Sequence, residues 1–561
     1  MAAEPDKAPV LESPQPNSID GPASTEPTTA AKGGPAPINY PTGFTFIAIS
    51  VALCLNIFLV LLDGSIVSTA VPKVTNEFHS LDDVGWYASV YFMGLAVSQL
   101  LFGKLNAIAP VKRTYLTCMV IFLVGSAVCG AAPSSVALII GRVIAGFAAG
   151  GVLVGTFSLI PYTVPPVSRP LFIGLIGAVL GIGTAVGPLI GGAITMNVTW
   201  RWCFYINLPI GGFAGIVFFF FVHPPKRETE QHLTIVQTLK NLDLIGLIFL
   251  TPAIVSLLLA LMWGGLTYPW NSGRIIALLV LFVVLFSAFI GVEIWQNEQA
   301  ILPRRVLTQR SVIFASLFAF GTSGASFLLV YYVPIWFQSI QGVSPFESGV
   351  RNLPMLIATT VFSLLGGVLI TVLGYSSPFM ITSTILSSIG AGLLTTFSPN
   401  ISSSKWIGYQ VLYGLGVGFS RQTPLICVST VLALRDVPIG SGVVMFCQTI
   451  AGAVFLAIAQ TVFVNKLASG LGDLGWPNLD PQTLLTSGAT SLGADLPPEQ
   501  YKVFLDLYSK SLTTSLYAAA ATASFSIIGA VFVEHRRIKG KEKKPAEVTP
   551  ASAEKQDSQQ S

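Results

Sequence analysis

The sequence predicts an all-α integral membrane protein with fourteen transmembrane helices, arranged as two six-helix bundles with two further helices inserted between them. Three observations carry this expectation. The 561-residue chain is 52% apolar and only 10% charged, with a mean hydropathy of +0.71, whereas a soluble domain carries roughly 25% charge. Apolar windows long enough to cross a bilayer recur from residue 44 almost to the C-terminus. These windows are continuous rather than alternating, which excludes a strand barrel.

Taken in order, residues 1–43 are rich in Pro, Ala, Ser, Thr and Glu and poor in large apolar side chains, the composition of a disordered cytoplasmic tail. No basic n-region precedes a short apolar core, so no cleaved signal peptide is expected. The N-terminal bundle, 44–222, takes the windows Phe44–Val71, Trp86–Phe102, Thr114–Ala131, Val136–Ile160, Leu171–Ile194 and Cys203–Val222. Residues 223–311 hold a cytoplasmic loop and the inserted pair, Leu244–Met262 and Ile275–Trp295. The C-terminal bundle, 312–533, takes Val312–Phe337, Gly349–Leu373, Phe379–Phe397, Trp406–Val431, Ile439–Val464 and Leu512–Val533, with a long extracellular loop at 465–511. Within that loop, Val503, Phe504 and Leu507 have helical spacing, which predicts a segment lying on the membrane surface. Residues 534–561 form a basic and then polar cytoplasmic tail.

Cations fix the orientation. With the N-terminus inside, Lys104, Lys112, Arg113, Arg169, Lys226, Arg227, Lys240, Arg304, Arg305, Arg310 and Arg435 all fall in inner loops, and the C-terminal tail adds six more cations from Arg536 to Lys544. Both termini are therefore expected in the cytoplasm. Asn197 and Asn400 stand in outer sequons and are candidate glycosylation sites, although both lie within a few residues of the bilayer, which disfavours modification.

A weak internal repeat aligns the first and last six helices. GRVIAGFAAGG from Gly141 is echoed by YQVLYGLGVGF from Tyr409, with Gly146 and Gly150 matching Gly414 and Gly418, and Arg142 matching Gln410. Repeated halves with a substrate site between them are the plan of secondary transporters.

Asp63 and Arg142 fall inside apolar windows, where a charge costs at least a few kcal/mol and faces a partner or a water-filled cavity. A carboxylate that takes up and releases a proton is the minimum part of a proton-coupled carrier; a structural ion pair or a helix-end residue is the alternative. Arg351 and Arg421 are further cations at membrane depth, suited either to an anionic substrate or to pairing with a helix C-terminal carbonyl. Gln99, Gln338, Gln410, Gln422 and Gln448 and the aromatic Trp336 are candidates to line a substrate cavity, with interhelical hydrogen bonds or an interfacial belt as the plainer roles. In the fifth window Gly183, Gly187 and Gly191 recur every fourth residue and make a stripe for close backbone approach, with Pro188 within it to bend the helix and Gly192 beside it. The expected neighbours of this stripe lie in the C-terminal bundle.

Other chemistries are excluded or unsupported. GxxxxGK[ST], HExxH and GxSxG do not occur. The histidines, His79, His223, His232 and His535, lie outside the windows, and the six cysteines form no CxxC pair, so no metal, cofactor or disulfide is expected. The net charge of +4 is spread without a compact basic domain, which argues against nucleic acid. The chain reads as a carrier, not an enzyme, with protons, a small molecule and the lipid bilayer as its partners. Nothing requires more than a monomer.

Four motifs resemble the major facilitator superfamily, and within it the fungal fourteen-span drug:proton antiporters. LDGSIVSTAVP at Leu62–Pro72 is similar to the first-helix motif, GRVIAGFAAGG to the fourth-helix basic motif, GTAVGPLIGG at Gly183–Gly192 to the antiporter motif of helix five, and WRWCFYINLPIGG at Trp200–Gly212 to a run typical of that family. The loop after helix two keeps Gly103, Lys112 and Arg113 but has Asn106 near where the superfamily motif carries an acidic residue, so the gate ion pair of other branches is expected to be missing. The resemblance implies export of hydrophobic or amphipathic compounds, such as toxins, drugs or secondary metabolites, in exchange for protons by alternating access at the plasma membrane. Arg142 and Asp63 would then serve proton coupling and gating. A vacuolar or vesicular location, and a siderophore or basic amino acid carrier, are the alternatives.

Overall fold

A computed structural model describes residues 40–80, 83–224, 237–238, 241–265, 267–474 and 497–537. The N-terminal tail, most of the loop before the seventh helix, the middle of the 465–511 loop and nearly all of the C-terminal tail lie outside the described residues. The architecture is helical, and β-pairing among the described residues is confined to one isolated bridge between Gly264 and Tyr268.

The long helices are α1 (Gly43–Phe78), α2 (Val84–Ile108), α3 (Val111–Gly130), α4 (Ser135–Thr163), α5 (Arg169–Asn197), α6 (Asn207–Phe221), α7 (Leu244–Trp263) and α8 (Gly273–Gln296). They continue as α9 (Arg310–Gln341), α10 (Pro345–Leu373), α11 (Ser377–Leu394), the split α12a (Ser403–Ser420) and α12b (Thr423–Val431), α13 (Val437–Asp473) and α14 (Pro498–Phe532). Thirteen of the described helical segments are long and apolar enough to cross a membrane. The split α12 takes the remaining place, packing on α10 and α11 as α4 packs on α2 and α3.

The repeat is visible in the packing. In the first half α4 contacts α2 and α3, and α1 contacts α5 and α6; in the second, α12a contacts α10 and α11, and α9 contacts α13 and α14. The halves meet along two seams, α2 on α13 and α5 on α10. Glycine makes both seams close. A Cβ on Gly103 would stand 3.1 Å from the Pro438 carbonyl and 3.6 Å from the Gly442 Cα, and one on Gly367 would stand 3.2 Å from the Gly174 Cα. The inserted α7 and α8 pair with each other, and α7 leans on α2 and α13.

The apolar core fixes which end of the bundle is sealed. Leu153, Phe157 and Ile160 of α4 and Phe172 and Ile176 of α5 share one buried cluster with Ile370, Leu425, Ile426, Ile439 and Met445 of the second half. At the opposite end the second half has a core of its own, built from α9, α11, α13 and α14 around Trp336, Phe397, Phe463 and Tyr508. The two halves are thus joined by continuous packing where α4 passes to α5 and α12b passes to α13.

Several expected boundaries move. α1 continues past Pro72 to a left-handed cap at His79 (φ 50°), so Asp63 lies well inside its helix and the helix-end alternative falls. The segment expected on the membrane surface is instead the first part of α14: Phe504, Tyr508 and Leu512 are 0%, 2% and 0% exposed. Its apolar stripe finds protein rather than lipid, because α13 also runs longer than expected, to Asp473. The expected continuous helix Trp406–Val431 is broken at Arg421 and Gln422. Pro424 supplies the reason: it has no N–H to offer the carbonyl four residues back, at Ser420, and it is well suited to the first turn of the new helix that starts at Thr423.

Candidate functional site

The first half closes around one buried charge cluster. Asp63 on α1 and Arg142 on α4 are both 0% exposed, and Arg142 Nη1 donates to Asp63 Oδ2 at 2.5 Å and to the Asp63 carbonyl at 3.2 Å. Arg142 Nε donates to the Tyr87 carbonyl at 3.0 Å, and its guanidinium lies 4.2 Å from the centre of the Tyr91 ring, a cation–π contact. On the other side of the carboxylate, Asn207 Nδ2 of α6 donates to Asp63 Oδ1 at 2.8 Å and to Ser126 Oγ of α3 at 3.1 Å. Five helices thus surround one ion pair that is out of contact with solvent. Breaking such a pair by removing one partner costs about 3–5 kcal/mol, because the other charge stays buried. Arg142 Nη2 and Asn207 Oδ1 have no hydrogen-bond partner among the described residues, so the cluster keeps one donor and one acceptor in reserve.

Small residues bring these helices together. A Cβ at Gly146 would stand 2.7 Å from the Tyr91 Cα, and one at Gly150 would stand 2.8 Å from the Leu95 carbonyl, so α2 lies against the α4 backbone. Gly125 gives α3 the same access, 2.6 Å from the Ala145 nitrogen. The glycines after Arg142 are therefore what allows Tyr87 and Tyr91 to reach its guanidinium.

The α5 stripe meets a different neighbour from the one expected. Gly183, Gly187 and Gly191 face α1 within the same half: added Cβ atoms would stand 3.1 Å from Leu61 Cβ, 2.8 Å from Ser65 Cβ and 2.6 Å from Ile66 Cγ1. The stripe therefore brackets Asp63 from behind. The C-terminal half is met by the other glycines of α5, Gly174, Gly177 and Gly181, which face Ser363, Gly367 and Thr360 of α10. A second face of the same helix makes that contact because Gly174 and Gly181 fall off the four-residue register of the stripe. Pro188 is exposed, so it lies off the stripe as well, and α5 continues through it to Asn197. Gly192 has open space where a Cβ would go.

The remaining candidates do not gather around one cavity. Trp336 is 0% exposed, packs edge-on against Phe337 and Phe397, and donates to Ser509 Oγ at 3.1 Å; it is core of the second half. Gln338 donates to Ser348 Oγ at 2.9 Å and Gln410 to the Arg351 carbonyl at 2.9 Å, and Arg351 itself is held by Glu347 and Gln341. Gln99 accepts from Thr449 Oγ1 at 3.1 Å across the α2–α13 seam, and Gln448 is half-buried next to it in sequence. Arg421 and Gln422 form the break in α12, beside Gly177 of α5. Lys112 donates to the Phe219 carbonyl at 2.7 Å, while Arg113 is exposed. Asn197 is exposed at the end of α5, and Asn400 is exposed in the turn between α11 and α12a.

At the sealed end Asn106 is fully buried, and charged groups link the halves. Lys104 Nζ of α2 donates to the Ala300 carbonyl at 2.7 Å, in the segment joining α8 to α9. Arg305 of that segment pairs with Asp436 at the start of α13, Nη2 to Oδ1 at 2.9 Å, and also with Glu298. Asn207 and Tyr91 were not singled out in the sequence. A lone Asn in an apolar window was the available signal for the first; for Tyr91, one ring among many aromatics, there was none.

The profile of the Major Facilitator Superfamily matches residues 53–456. The chain belongs to the major facilitator superfamily. This transporter is 46% identical over 91% of its length to the MFS-type efflux pump MFS1 of Arthroderma benhamiae, covering 95% of that protein. It is 45% identical to the efflux pump roqT of Penicillium rubens, over 90% of this chain and 93% of the relative, and 43% identical to the efflux pump aflT of Aspergillus parasiticus, over 89% and 97%. Among solved structures it resembles the proton:xylose symporter XylE (TM-score 0.56, 13% identity, 88% of this chain and 97% of that one) and the human organic anion transporter MFSD10 (TM-score 0.53, 13% identity, 84% and 99%). At that identity the likeness is one of fold. The protein is thus a multi-pass membrane transporter rather than an enzyme.

Proposed function

We propose that this transporter exports small hydrophobic or amphipathic organic compounds, secondary metabolites among them, in exchange for protons. The observation that carries the coupling is the buried Asp63–Arg142 pair. A proton delivered to Asp63 removes its charge and with it the ionic hold on Arg142, whose guanidinium then turns to its remaining partners, Tyr87, Tyr91 and any group that meets Nη2. Because α1 carries Asp63 and also packs on the α5 glycines, a shift at the carboxylate is felt by a helix whose other face touches α10. Alternating access is then a rocking of the halves about the α2–α13 and α5–α10 seams. The names of the fungal relatives, efflux pumps at 43–46% identity, support the outward direction.

The cation distribution supports cytoplasmic termini, which puts the sealed end on the cytoplasmic side, at the plasma membrane. The test is transport into inside-out vesicles of a strain expressing the chain. Uptake of a hydrophobic dye should require an acidic interior and collapse with an uncoupler. Undiminished uptake without a proton gradient removes the coupling, and uptake only into right-side-out vesicles reverses the direction.

A further inference from the structure

We infer that the break in α12 is a recognition site for the anionic oxygen of an acidic substrate, a carboxylate or enolate carried on an apolar organic framework, with Arg421 as its anchor. This rests on the export reading and narrows its cargo to organic acids ionised at neutral pH.

The helix break is built into the sequence by Pro424. The Arg421 amide still bonds the Val417 carbonyl at 2.9 Å, and α12b starts at Thr423. Arg421 is half-buried as a whole residue, its charge lies near Tyr413, and it has no hydrogen bond, ion pair or ring contact among the described residues. Four other cations in these helices are held: Arg142 by Asp63, Arg351 by Glu347, Lys104 by the Ala300 carbonyl, and Arg169 by the Pro161 carbonyl at 3.1 Å. A cation at membrane depth is costly and is kept where it faces a partner or a substrate path.

Its surroundings are also unsatisfied. Gln422 is 6% exposed, and among the described residues its Oε1 has no hydrogen-bond partner, nor do the hydroxyls of Ser420 and Thr423, each 1% exposed. The Gln422 stem stands 2.8 Å from where a Gly177 Cβ would be, beside Ser363 of α10. The site therefore adjoins the α5–α10 seam, where an occupant touches both halves.

The fold itself does not ask for a charge there. The glycine register that matches Gly146 and Gly150 with Gly414 and Gly418 places Arg421 opposite Leu153, an apolar member of the common core. The two halves share a packing scheme, and this cation is added to one of them.

The assignment is tested with the full-length protein in phosphatidylcholine nanodiscs, by equilibrium binding of anthraquinone-2-carboxylic acid and its methyl ester at neutral pH. The acid should bind at least about tenfold more tightly than the ester, a difference of about 1.4 kcal/mol. Arg421→Gln should abolish that preference, and Arg421→Lys should restore part of it. Ester binding and the melting temperature of each variant are followed alongside, since a purely structural role lowers acid and ester binding together. Equal binding of acid and ester, binding of neither, or an unchanged preference in Arg421→Gln overturns the assignment. Export is read separately, from proton-driven movement of the ester in inside-out vesicles. If the ester is exported while the acid shows no preference, the anion site falls and export stands; if the acid preference holds while no gradient drives either probe, export falls and the site stands.

Discussion

Asn207 donates to Asp63 Oδ1 at 2.8 Å while Arg142 holds Oδ2 at 2.5 Å, so the carboxylate is gripped from both sides by groups on α6 and α4. The two grips differ in kind. Protonation of Asp63 weakens the ionic one and leaves the amide donor in place. Asp63→Asn, close in shape but unable to carry a proton, should therefore abolish proton-driven accumulation and spare substrate exchange across a membrane with no gradient. Counterflow in proteoliposomes makes the measurement. Asp63→Leu removes the counter-charge outright, leaves Arg142 buried alone and should destabilise the protein by about 3–5 kcal/mol, read as loss of folded protein on size-exclusion.

Gly187 and Gly192 are five residues apart on one helix and should behave in opposite ways. A side chain at Gly187 is driven into Ser65 and Ile66, next to Asp63, whereas one at Gly192 meets open space. Gly187→Leu should lower the transport rate at least about fivefold, since overpacking of a close contact costs about 1–3 kcal/mol, with the protein still present in the membrane. Gly192→Leu should transport at the native rate. Transport per folded protein distinguishes the two, and equal behaviour removes the close-contact role of the stripe.

Hydropathy made the helices legible because a bilayer demands long apolar runs whatever they pack against. It failed where packing, not lipid, sets the end: α14 starts at Pro498 because Phe504 and Tyr508 bury against α9 and α13, and a single window cannot reveal that partner. Asp63 and Arg142 were legible as charges out of place, but not their joining by Asn207, which depends on three helices converging. The glycine stripe was legible as a close contact, and its neighbour was not, since a spacing of four identifies a face without saying which helix covers it. Pro424 announced a break in α12 that the apolar average around it concealed.

A pH effect is expected at the C-terminal end of α1. Glu77 lies beyond the apolar stretch Gly43–Val67, accepts Trp200 Nε1 at 2.6 Å and Arg201 Nη1 at 2.8 Å, and its carboxyl is held below the ordinary carboxylate range, chiefly by the Trp200 hydrogen bond. A carboxyl depressed in the folded state contributes stability above its unfolded pKa, about 4.3, and loses it as the pH falls through the folded value. Glu77→Gln should therefore melt below the native protein at neutral pH, and the gap should close on acidification to below about pH 4. Melting curves of both proteins in the same detergent across that range make the comparison; a gap that widens on acidification contradicts it.

The segment joining α8 to α9 ties the inserted helices to both halves, and this gives the sealed end a polar latch. Lys104 reaches the Ala300 carbonyl from α2, Arg305 reaches Asp436 at the head of α13, and Glu293 of α8 accepts the amides of Ile301 and Leu302 at 3.2 and 2.9 Å, which fixes the shape of the segment between them. Arg305 is about one-third exposed (34%), so its pair with Asp436 is worth no more than about 1 kcal/mol. That is enough to change how often the seam opens by up to about fivefold. Asp436→Ala should accordingly raise hydrogen exchange in the first two turns of α13, residues 437–444, by up to that factor, with no change in α3. Arg305→Ala should do the same, and the double variant should fall short of the sum of the two single ones, because the Arg305–Asp436 pair is lost in both, while Arg305–Glu298 and Arg435–Asp436 are each lost in one. Additive effects in that cycle mean that the two residues act apart and that apolar packing alone closes the end.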